Sequence, residues 1–291
     1  MKRFVLAYNP VSGHAVFKKK LDWIIKEFQK RGCVLLPYRT LRHNRHFAEF
    51  VRDLRPDGVI AAGGDGTVHE IINLVLKHEL AIPVGIIGSG TSNDFATYLH
   101  INEDYDTYFD TIAAGRTRAV DLGRVGEEYF INVASAGMMT AIAHEVPSRL
   151  KNALGKFAYY LRGIGELPKM RTMNFRVTAD GRDYAFDGYL FVVVNSATVA
   201  SLKDVAPCAK IDDGKLDLLA IKKASVPQLM RVGTELLAGR AVLDQPVILH
   251  IQAQNFTIAA DVPLESDLDG EAGPDLPLTI ETVPHAIQIF C

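Results

Sequence analysis

The chain has 291 residues, which is long enough for two domains of ordinary size or for one large domain. Its 48% hydrophobic and 23% charged residues exclude an intrinsically disordered protein. The formal net charge of −2 gives no basis for general binding to nucleic acid, so we expect no nucleic-acid partner.

The first third of the chain alternates between predicted strands and predicted helices. Short apolar runs predict strands at Phe4–Tyr8, Cys33–Tyr38, Gly58–Ala62 and Pro83–Ile87. Apolar residues at three- and four-residue steps predict helices at His14–Arg31, through Phe47–Leu54 and from Val68 onward. This alternation predicts a parallel sheet with helices on both faces.

A glycine-rich turn, Gly63–Thr67, follows the third strand and precedes a helix. Glycines let the backbone approach a ligand closely, and the N–H groups of a helix N-terminus attract phosphate. The carboxylate of Asp65 could hold a magnesium ion against such phosphates. An ordinary strand-to-helix turn with Thr67 as the N-cap residue is the alternative.

Two more loops, Asn9–Gly13 and Gly88–Asp94, follow the first and fourth strands and are also rich in small polar residues. Ligands of parallel sheets bind beyond the carboxyl ends of the strands. We therefore expect the three loops to meet at one phosphate-binding edge.

From about Leu122 the pattern changes to the alternation of polar and apolar residues that is typical of an antiparallel sandwich or barrel. The alternating segments are 124–132, 172–179, 184–194, 216–221, 247–251 and 256–260. Helical inserts are predicted at 138–143 with 150–167, and at Val226–Leu237. We place the first domain at 1–122, joined by a last strand at 284–291, and the second at 123–283.

Acidic residues are concentrated near the end of the second domain. Asp267, Asp269 and Glu271 alternate around Gly270, so in an extended chain all three would point to one face. Neighbouring carboxylates suit a general base or a metal site, whereas a solvated acidic loop is the alternative.

Together these motifs resemble the diacylglycerol kinase and sphingosine kinase family, and most closely its small soluble bacterial lipid kinases. The resemblance rests on three motifs in this order and spacing: Asn9–Gly13, Gly63–Thr67 with Glu70 and Asn73, and Gly90–Phe95. It continues through 120–123, 129–132, 154–159 and 212–216 to Asp269–Glu271. Gly88 departs from the family, which usually has proline there, and Ser92 often corresponds to glycine or alanine.

The resemblance implies an α/β nucleotide-binding domain like that of phosphofructokinase and NAD kinase, a C-terminal β-sandwich, and an active site in the cleft. It implies an ATP-dependent lipid kinase that uses Mg²⁺. The nucleotide-binding residues that it implies are Asn9, Pro10, Ser12, Gly13, Thr40, Gly63, Gly64, Asp65, Gly66, Thr67, Glu70, Gly90, Thr91, Asn93 and Asp94.

The resemblance also assigns the catalytic carboxylates. Asp65 would organise magnesium, and Asp269 would be the general base with Glu271 as its partner, although the choice between these two stays open. A structural magnesium ion would be bound by Asp213 and by the backbone carbonyls of Lys210 and Lys215. Alanine at Asp65 or at Asp269 is expected to lower activity by orders of magnitude while the protein folds normally.

The acceptor implied by the family is a lipid hydroxyl, and diacylglycerol, phosphatidylglycerol, a sphingoid base and a polyprenol all offer one. The basic amphipathic segment at 150–167 predicts transient contact with an anionic membrane surface, or packing against the sandwich. A soluble-substrate kinase of the NAD kinase type and a non-catalytic nucleotide-binding regulator are the alternatives. A homodimer is compatible with the sequence.

The sequence favours a cytoplasmic protein that associates with membranes only peripherally. No apolar stretch reaches the roughly 18 residues that span a bilayer. The N-terminal segment lacks the apolar core of roughly 7–15 residues of a signal peptide. Cys33, Cys208 and Cys291 are far apart and lack metal-ligand spacing, which is typical of reduced thiols.

Overall fold

The protein is described by a computed structural model that covers residues 1–10, 16–41, 44–89, 93–137 and 172–291. It forms two units. The first contains Met1–Leu122, Glu127–Tyr129 and Pro284–Cys291, and the second contains Gly123–Gly126 and Phe130–Val283. The helical inserts predicted at 138–143 and 150–167 lie outside the described residues.

The first unit contains a parallel sheet whose strands alternate with helices along the chain. The elements are β1 (Arg3–Tyr8), α1 (Val16–Lys30), β2 (Val34–Arg39), α2 (Phe47–Leu54), β3 (Gly58–Gly63), α3 (Asp65–Lys77) and β4 (Val84–Gly88). The strand order is β4-β3-β1-β2, with every neighbouring pair parallel. Every residue of β3 is buried, as expected for a central strand covered on both faces. The predicted fold class of this part is confirmed.

Two helices of the first unit, α4 (Asp94–Tyr98) and α5 (Tyr105–Ala114), are not among the predicted elements. The start and end of α5 nevertheless have recognisable signals. Asp104 caps its N-terminus by accepting the N–H groups of Asp106 and Thr107, and Gly115 ends it with a φ of 81°. Both signals are local and are present in the sequence.

The second unit is built from antiparallel strands. The remaining elements of the chain are β5 (Thr117–Val125), β6 (Glu128–Phe130), β7 (Val133–Gly137), β8 (Met173–Ala179), β9 (Arg182–Val194), β10 (Leu216–Lys222), α6 (Val226–Leu237), β11 (Ile248–Ala253), β12 (Asn255–Ala260), β13 (Glu265–Leu268), β14 (Glu271–Asp275) and β15 (Leu278–Phe290). Neighbouring strands follow the order β14-β13-β7-β9-β8-β12-β15, and β10 pairs with β9 and β11. The predicted sandwich and the helix at Val226–Leu237 are confirmed.

One apolar cluster forms the core of the second unit. Its largest fully buried side chains are those of Phe130, Phe175, Phe191 and Phe256. Strand β15 begins beside β12 in this unit and ends in the first unit, where Ile289 pairs with Val84 of β4. Among the described residues, no helix is long and apolar enough to cross a bilayer.

Candidate active site

The loops that follow the parallel strands of the first unit begin at the same level of the sheet. Register places Tyr8 beside Ala62, and Gly63 beside Gly88. Three backbone hydrogen bonds extend the ladder past the strand ends: Asn9 N–H to Ala62 (3.1 Å), Ser89 N–H to Gly63 (2.8 Å) and Thr40 N–H to Tyr8 (3.0 Å). The loops containing Asn9, Thr40, Gly63 and Ser89 therefore start along one edge.

This edge contains the topological switch point of the sheet. From β1, the chain goes to β2 on one side and then crosses to β3 on the other side. In open α/β sheets, ligands bind at such a point, outside the carboxyl ends of the strands. The two loops that flank the switch point follow β1 and β3, and the second of them is the glycine-rich turn.

Asp65 connects the glycine-rich turn to the loop after β4. Its Oδ2 atom accepts a hydrogen bond from the N–H group of Asn93 (3.0 Å), and its Oδ1 atom accepts one from Asp94 (3.0 Å). Asn93 has a φ of 48° and is the N-cap residue of α4, while Asp94 is buried. The Asp65 carboxylate is thus oriented by the backbone of a second loop.

The N-terminus of α3 has the features of an anion site. Gly64 is its N-cap residue, no side chain caps the first turn, and the helix starts at Asp65. The alternative in which Thr67 is the N-cap residue is therefore wrong. The N–H groups of Thr67 (3.0 Å) and Val68 (3.1 Å) donate to the carbonyl of Gly64, which closes the first turn. The dipole of α3 favours negative charge at this end.

Gly63 is required by the close packing of this turn. A Cβ atom on Gly63 would lie 2.4 Å from Oγ1 and 2.5 Å from Cβ of Thr67, a residue of the first turn of α3. The obstructing atoms belong to the root of a buried side chain rather than to its flexible end. Any larger residue would have to displace the turn.

Thr40 lies at this edge, Glu70 is joined to the residues that follow Thr40, and both side chains contact protein groups. The Glu70 carboxylate accepts a hydrogen bond from the Asn44 amide (2.5 Å), and Asn44 is itself held by the backbone of Leu41. The Thr40 hydroxyl donates to the Tyr8 carbonyl (3.3 Å). Burial, and to a lesser extent the charge of Glu70, raises the pKa of Tyr38. Asn44 is not among the predicted site residues, because it belongs to none of the sequence motifs.

The structure describes only some of the other residues that are predicted to bind nucleotide. Asn9 is half-buried and Pro10 is buried at the end of β1, while Gly66 lies half-buried in the first turn of α3. The residues predicted to bind nucleotide that lie outside the described part of the chain are Ser12, Gly13, Gly90 and Thr91.

The acidic segment of the second unit forms a β-hairpin. Strands β13 and β14 pair so that Leu268 faces Glu271, and the two turn residues, Asp269 and Gly270, have φ values of 54° and 93°. Positive φ at both positions is the pattern of a type I′ turn, for which Asp-Gly is a preferred sequence. The expectation that Asp267, Asp269 and Glu271 point to one face of an extended chain is therefore wrong.

The Asp269 carboxylate accepts three backbone hydrogen bonds. The donors are the N–H groups of Ile131 (2.7 Å), Asn132 (2.9 Å) and Val133 (2.9 Å), which lie just before and at the start of β7. Glu271, in contrast, is exposed as the first residue of β14. The two carboxylates thus differ in surroundings: one is tied to the backbone, and the other faces solvent.

A buried polar network supports the segment that Asp269 contacts. The Asn132 amide donates to the carbonyl of Thr198 (2.8 Å), and the Asn132 oxygen accepts a hydrogen bond from the Ser196 hydroxyl (2.5 Å). All three residues are buried. Asn132 belongs to one of the family motifs, but nothing in the sequence indicates that Ser196 takes part in this network.

Asp213 lies in an exposed turn before β10. Its Oδ1 atom accepts the N–H group of Lys215 (3.1 Å), and Gly214 has a φ of 72°. Lys210 and Lys215 are exposed at either end of this turn. Mg²⁺ prefers carboxylate and carbonyl oxygens as ligands. The Asp213 carboxylate and the backbone carbonyls of Lys210 and Lys215 are therefore chemically suited to the predicted ion.

Comparison with known proteins places both units in one family. Residues 3–125 match the diacylglycerol kinase catalytic domain, and residues 132–291 match the YegS C-terminal NAD kinase beta sandwich-like domain. The diacylglycerol kinase of Bacillus subtilis (strain 168) is 36% identical over 285 residues, covering 95% of this chain and 92% of that protein. The diacylglycerol kinase of Staphylococcus saprophyticus is 33% identical over 292 residues, covering 99% and 95%.

A solved structure supports the fold. A crystal structure from Bacillus anthracis str. Sterne has a TM-score of 0.85 and 24% identity, and covers 99% of this chain and 95% of that one. The fold and the family matches together define a lipid kinase. The chain belongs to the diacylglycerol kinase family.

Proposed function

We propose that the protein transfers the γ-phosphoryl group of ATP to the hydroxyl group of diacylglycerol, with Mg²⁺ as the cofactor. The main support is the Asp65 carboxylate, which is fixed between two loops at the carboxyl edge of a parallel sheet. Membership of the family supports a lipid acceptor, and the names of the relatives support diacylglycerol in particular.

The first unit would bind the nucleotide. The N-terminus of α3 offers backbone amides and a helix dipole to the phosphates, and Gly63 lets the turn come close to them. Asn9, Thr40 and Asp94 would line the same edge. Asp65 would hold the magnesium ion, which when bound neutralises the charge of the phosphates.

The second unit would supply the proton acceptor. Asp269 would take the proton of the attacking lipid hydroxyl, with Glu271 as its partner on the same hairpin. The three backbone donors would keep the Asp269 carboxylate in one orientation. Asp213 and the carbonyls of Lys210 and Lys215 would bind the structural magnesium ion.

Replacing Gly63 with alanine is expected to lower kcat/KM for ATP by about 10²-fold, because a shift of the phosphate turn of about 1 Å has an effect of this size. Steady-state kinetics with saturating lipid would measure the change. Gly85→Ala in β4 is the matched control, because its nearest obstructing atom is the flexible end of the Ile60 side chain. If Gly63→Ala and the wild type had equal kcat/KM for ATP, the glycine-rich turn would not be part of the nucleotide site.

The acceptor can be identified with labelled ATP and a panel of candidate substrates. We expect the label to enter vesicles that contain diacylglycerol, and not NAD or vesicles that contain only phosphatidylglycerol, a sphingoid base or a polyprenol. Labelling should stop with EDTA and resume with added Mg²⁺. Label on NAD would reject the lipid assignment, and preferential labelling of another lipid would reject diacylglycerol.

The same assay tests contact with the membrane. The acceptor has apolar chains and resides in a bilayer, so the proposal includes transient docking of the protein on its surface. Vesicles of equal diacylglycerol content, with and without anionic lipid, would separate docking by charge from docking by the acceptor alone.

A further inference from the structure

Strand pairing in the second unit brings together three metal-ligating side chains that the sequence separates. Strands β10 and β11 are antiparallel, with Asp217 opposite Gln252 and Leu219 opposite His250. Alternate residues of a strand share a face, so Asp217 and His250 are diagonal neighbours on one face. The opposite face carries Leu216, Leu218 and Ile251, which belong to the core of the unit.

The segment before β10 supplies the third side chain. Val205, Ala206 and Ala209 pack with Leu219 in a separate apolar cluster. This packing lies on the face that carries Asp217 and His250, and it brings Cys208 beside them. The residues of the cluster are therefore held by a strand pair and by an apolar anchor.

The three ligand atoms have the spacing of a metal site. Cys208 Sγ lies 3.4 Å from Asp217 Oδ1 and 3.6 Å from His250 Nε2. In a tetrahedral zinc site with bonds of about 2.0–2.3 Å, ligand atoms are about 3.3–3.8 Å apart. His250 Nε2 and Asp217 Oδ1 are 2.6 Å apart and share a hydrogen bond, which would open by about 1 Å or less to admit a cation.

The same geometry argues against a nucleophilic thiol. In a catalytic triad, the acid contacts one ring nitrogen of histidine and the nucleophile contacts the other. Here Asp217 and Cys208 both face Nε2 of His250. Because one ring nitrogen faces both side chains, His250 cannot relay a proton between them as the histidine of a triad does.

We propose that Cys208, Asp217 and His250 bind a divalent cation of the zinc class. One sulfur, one nitrogen and one oxygen donor favour zinc over magnesium or calcium, which prefer oxygen alone. The Gln252 amide lies 3.4 Å from Oδ2 of the fully buried Asp217 and would orient that ligand from behind. The bound cation would tie the 205–209 segment to β10 and β11, and this holds whether or not the protein phosphorylates diacylglycerol.

Metal titration of the full chain tests the proposal. A chelator first removes bound metal from the protein. The protein is then titrated with Co²⁺, and absorbance spectroscopy monitors binding. We expect one equivalent to bind with a thiolate-to-cobalt charge-transfer band, which Zn²⁺ displaces and excess Mg²⁺ does not. Zn²⁺ should also raise the melting temperature of the wild type.

Variants assign the band to these ligands. Cys208→Ala and His250→Ala should abolish it, and Gln252→Ala should weaken cobalt binding by about 10-fold or more. Cys33→Ser and Cys291→Ser remove the two other thiols of the chain and should retain the band. Circular dichroism would establish whether each variant is folded. If Cys208→Ala does not fold, Cys208→Ser takes its place. Absence of stoichiometric binding, or a band that survives loss of Cys208, would show that the three side chains form only a hydrogen-bonded cluster.

Discussion

Replacing Asp65 with alanine is expected to lower phosphotransfer by about 10²–10³-fold or more, the usual effect of removing a group that stabilises transition-state charge. The substitution removes the proposed magnesium ligand and two hydrogen bonds, to the N–H groups of Asn93 and Asp94. The effect on folding should be smaller, because these bonds join two loops and not the strands of the sheet. Lipid-kinase assays and thermal melts on the same preparations would measure both.

Two further variants make this prediction specific. Asp65→Asn keeps one carbonyl oxygen but presents an amide N–H group to a backbone N–H group, so it should also be impaired. Asp53→Asn changes an exposed carboxylate in α2 and should retain full activity. An Asp65→Ala protein with wild-type turnover would eliminate Asp65 from the catalytic site.

The parts of the fold that could be predicted from the sequence depend on local patterns. The apolar run of β3, the glycines after it and the periodicity of α3 are all encoded within about 20 residues, the length of one strand and one helix. The predicted and observed bounds of these elements therefore differ little. The sandwich was predictable for the same reason, because its strands alternate with a period of two.

Two features of the fold have local sequence signals that apolar periodicity does not reveal. The Asp104 cap and Gly115 mark the ends of α5, and Asp269-Gly270 is a favoured hairpin turn. Both signals were present in the sequence. The hairpin separates the three carboxylates, Asp267, Asp269 and Glu271, which an extended segment would place on one face.

Other features of the candidate site could not be predicted because strand register determines them. Asp269 contacts residues that precede it by 136 to 138 positions, just before and at the start of β7, which pairs with β13. The Cys208 cluster likewise depends on β10 pairing with β11. No local pattern encodes such partners, since a shift of register by one residue would move each side chain to the opposite face.

Asp269→Ala is expected to lower both activity and stability, which differs from the expectation based on sequence alone. The substitution removes the acceptor of three backbone N–H groups, and each such group that water cannot reach costs about 1–3 kcal/mol. Alanine tolerates a φ of 54° less well than aspartate, so it adds part of the roughly 1–2 kcal/mol cost of a left-handed backbone. Urea denaturation would measure the loss of stability.

Asp269→Asn separates the catalytic role from the structural one. Asparagine tolerates positive φ, and its one oxygen can still accept the N–H groups of Asn132 and Val133. Its amide N–H group would face the N–H group of Ile131, so the variant should lose some stability, but less than Asp269→Ala.

If Asp269 is the base, the kcat of Asp269→Asn should fall by about 10²–10⁴-fold. Asp275→Asn changes an exposed carboxylate in β14 of the same hairpin, is the matched control, and should retain full activity. Glu271→Gln removes the proposed partner and should lower kcat less than Asp269→Asn does. The reverse result would make Glu271 the base and Asp269 the residue that positions the hairpin.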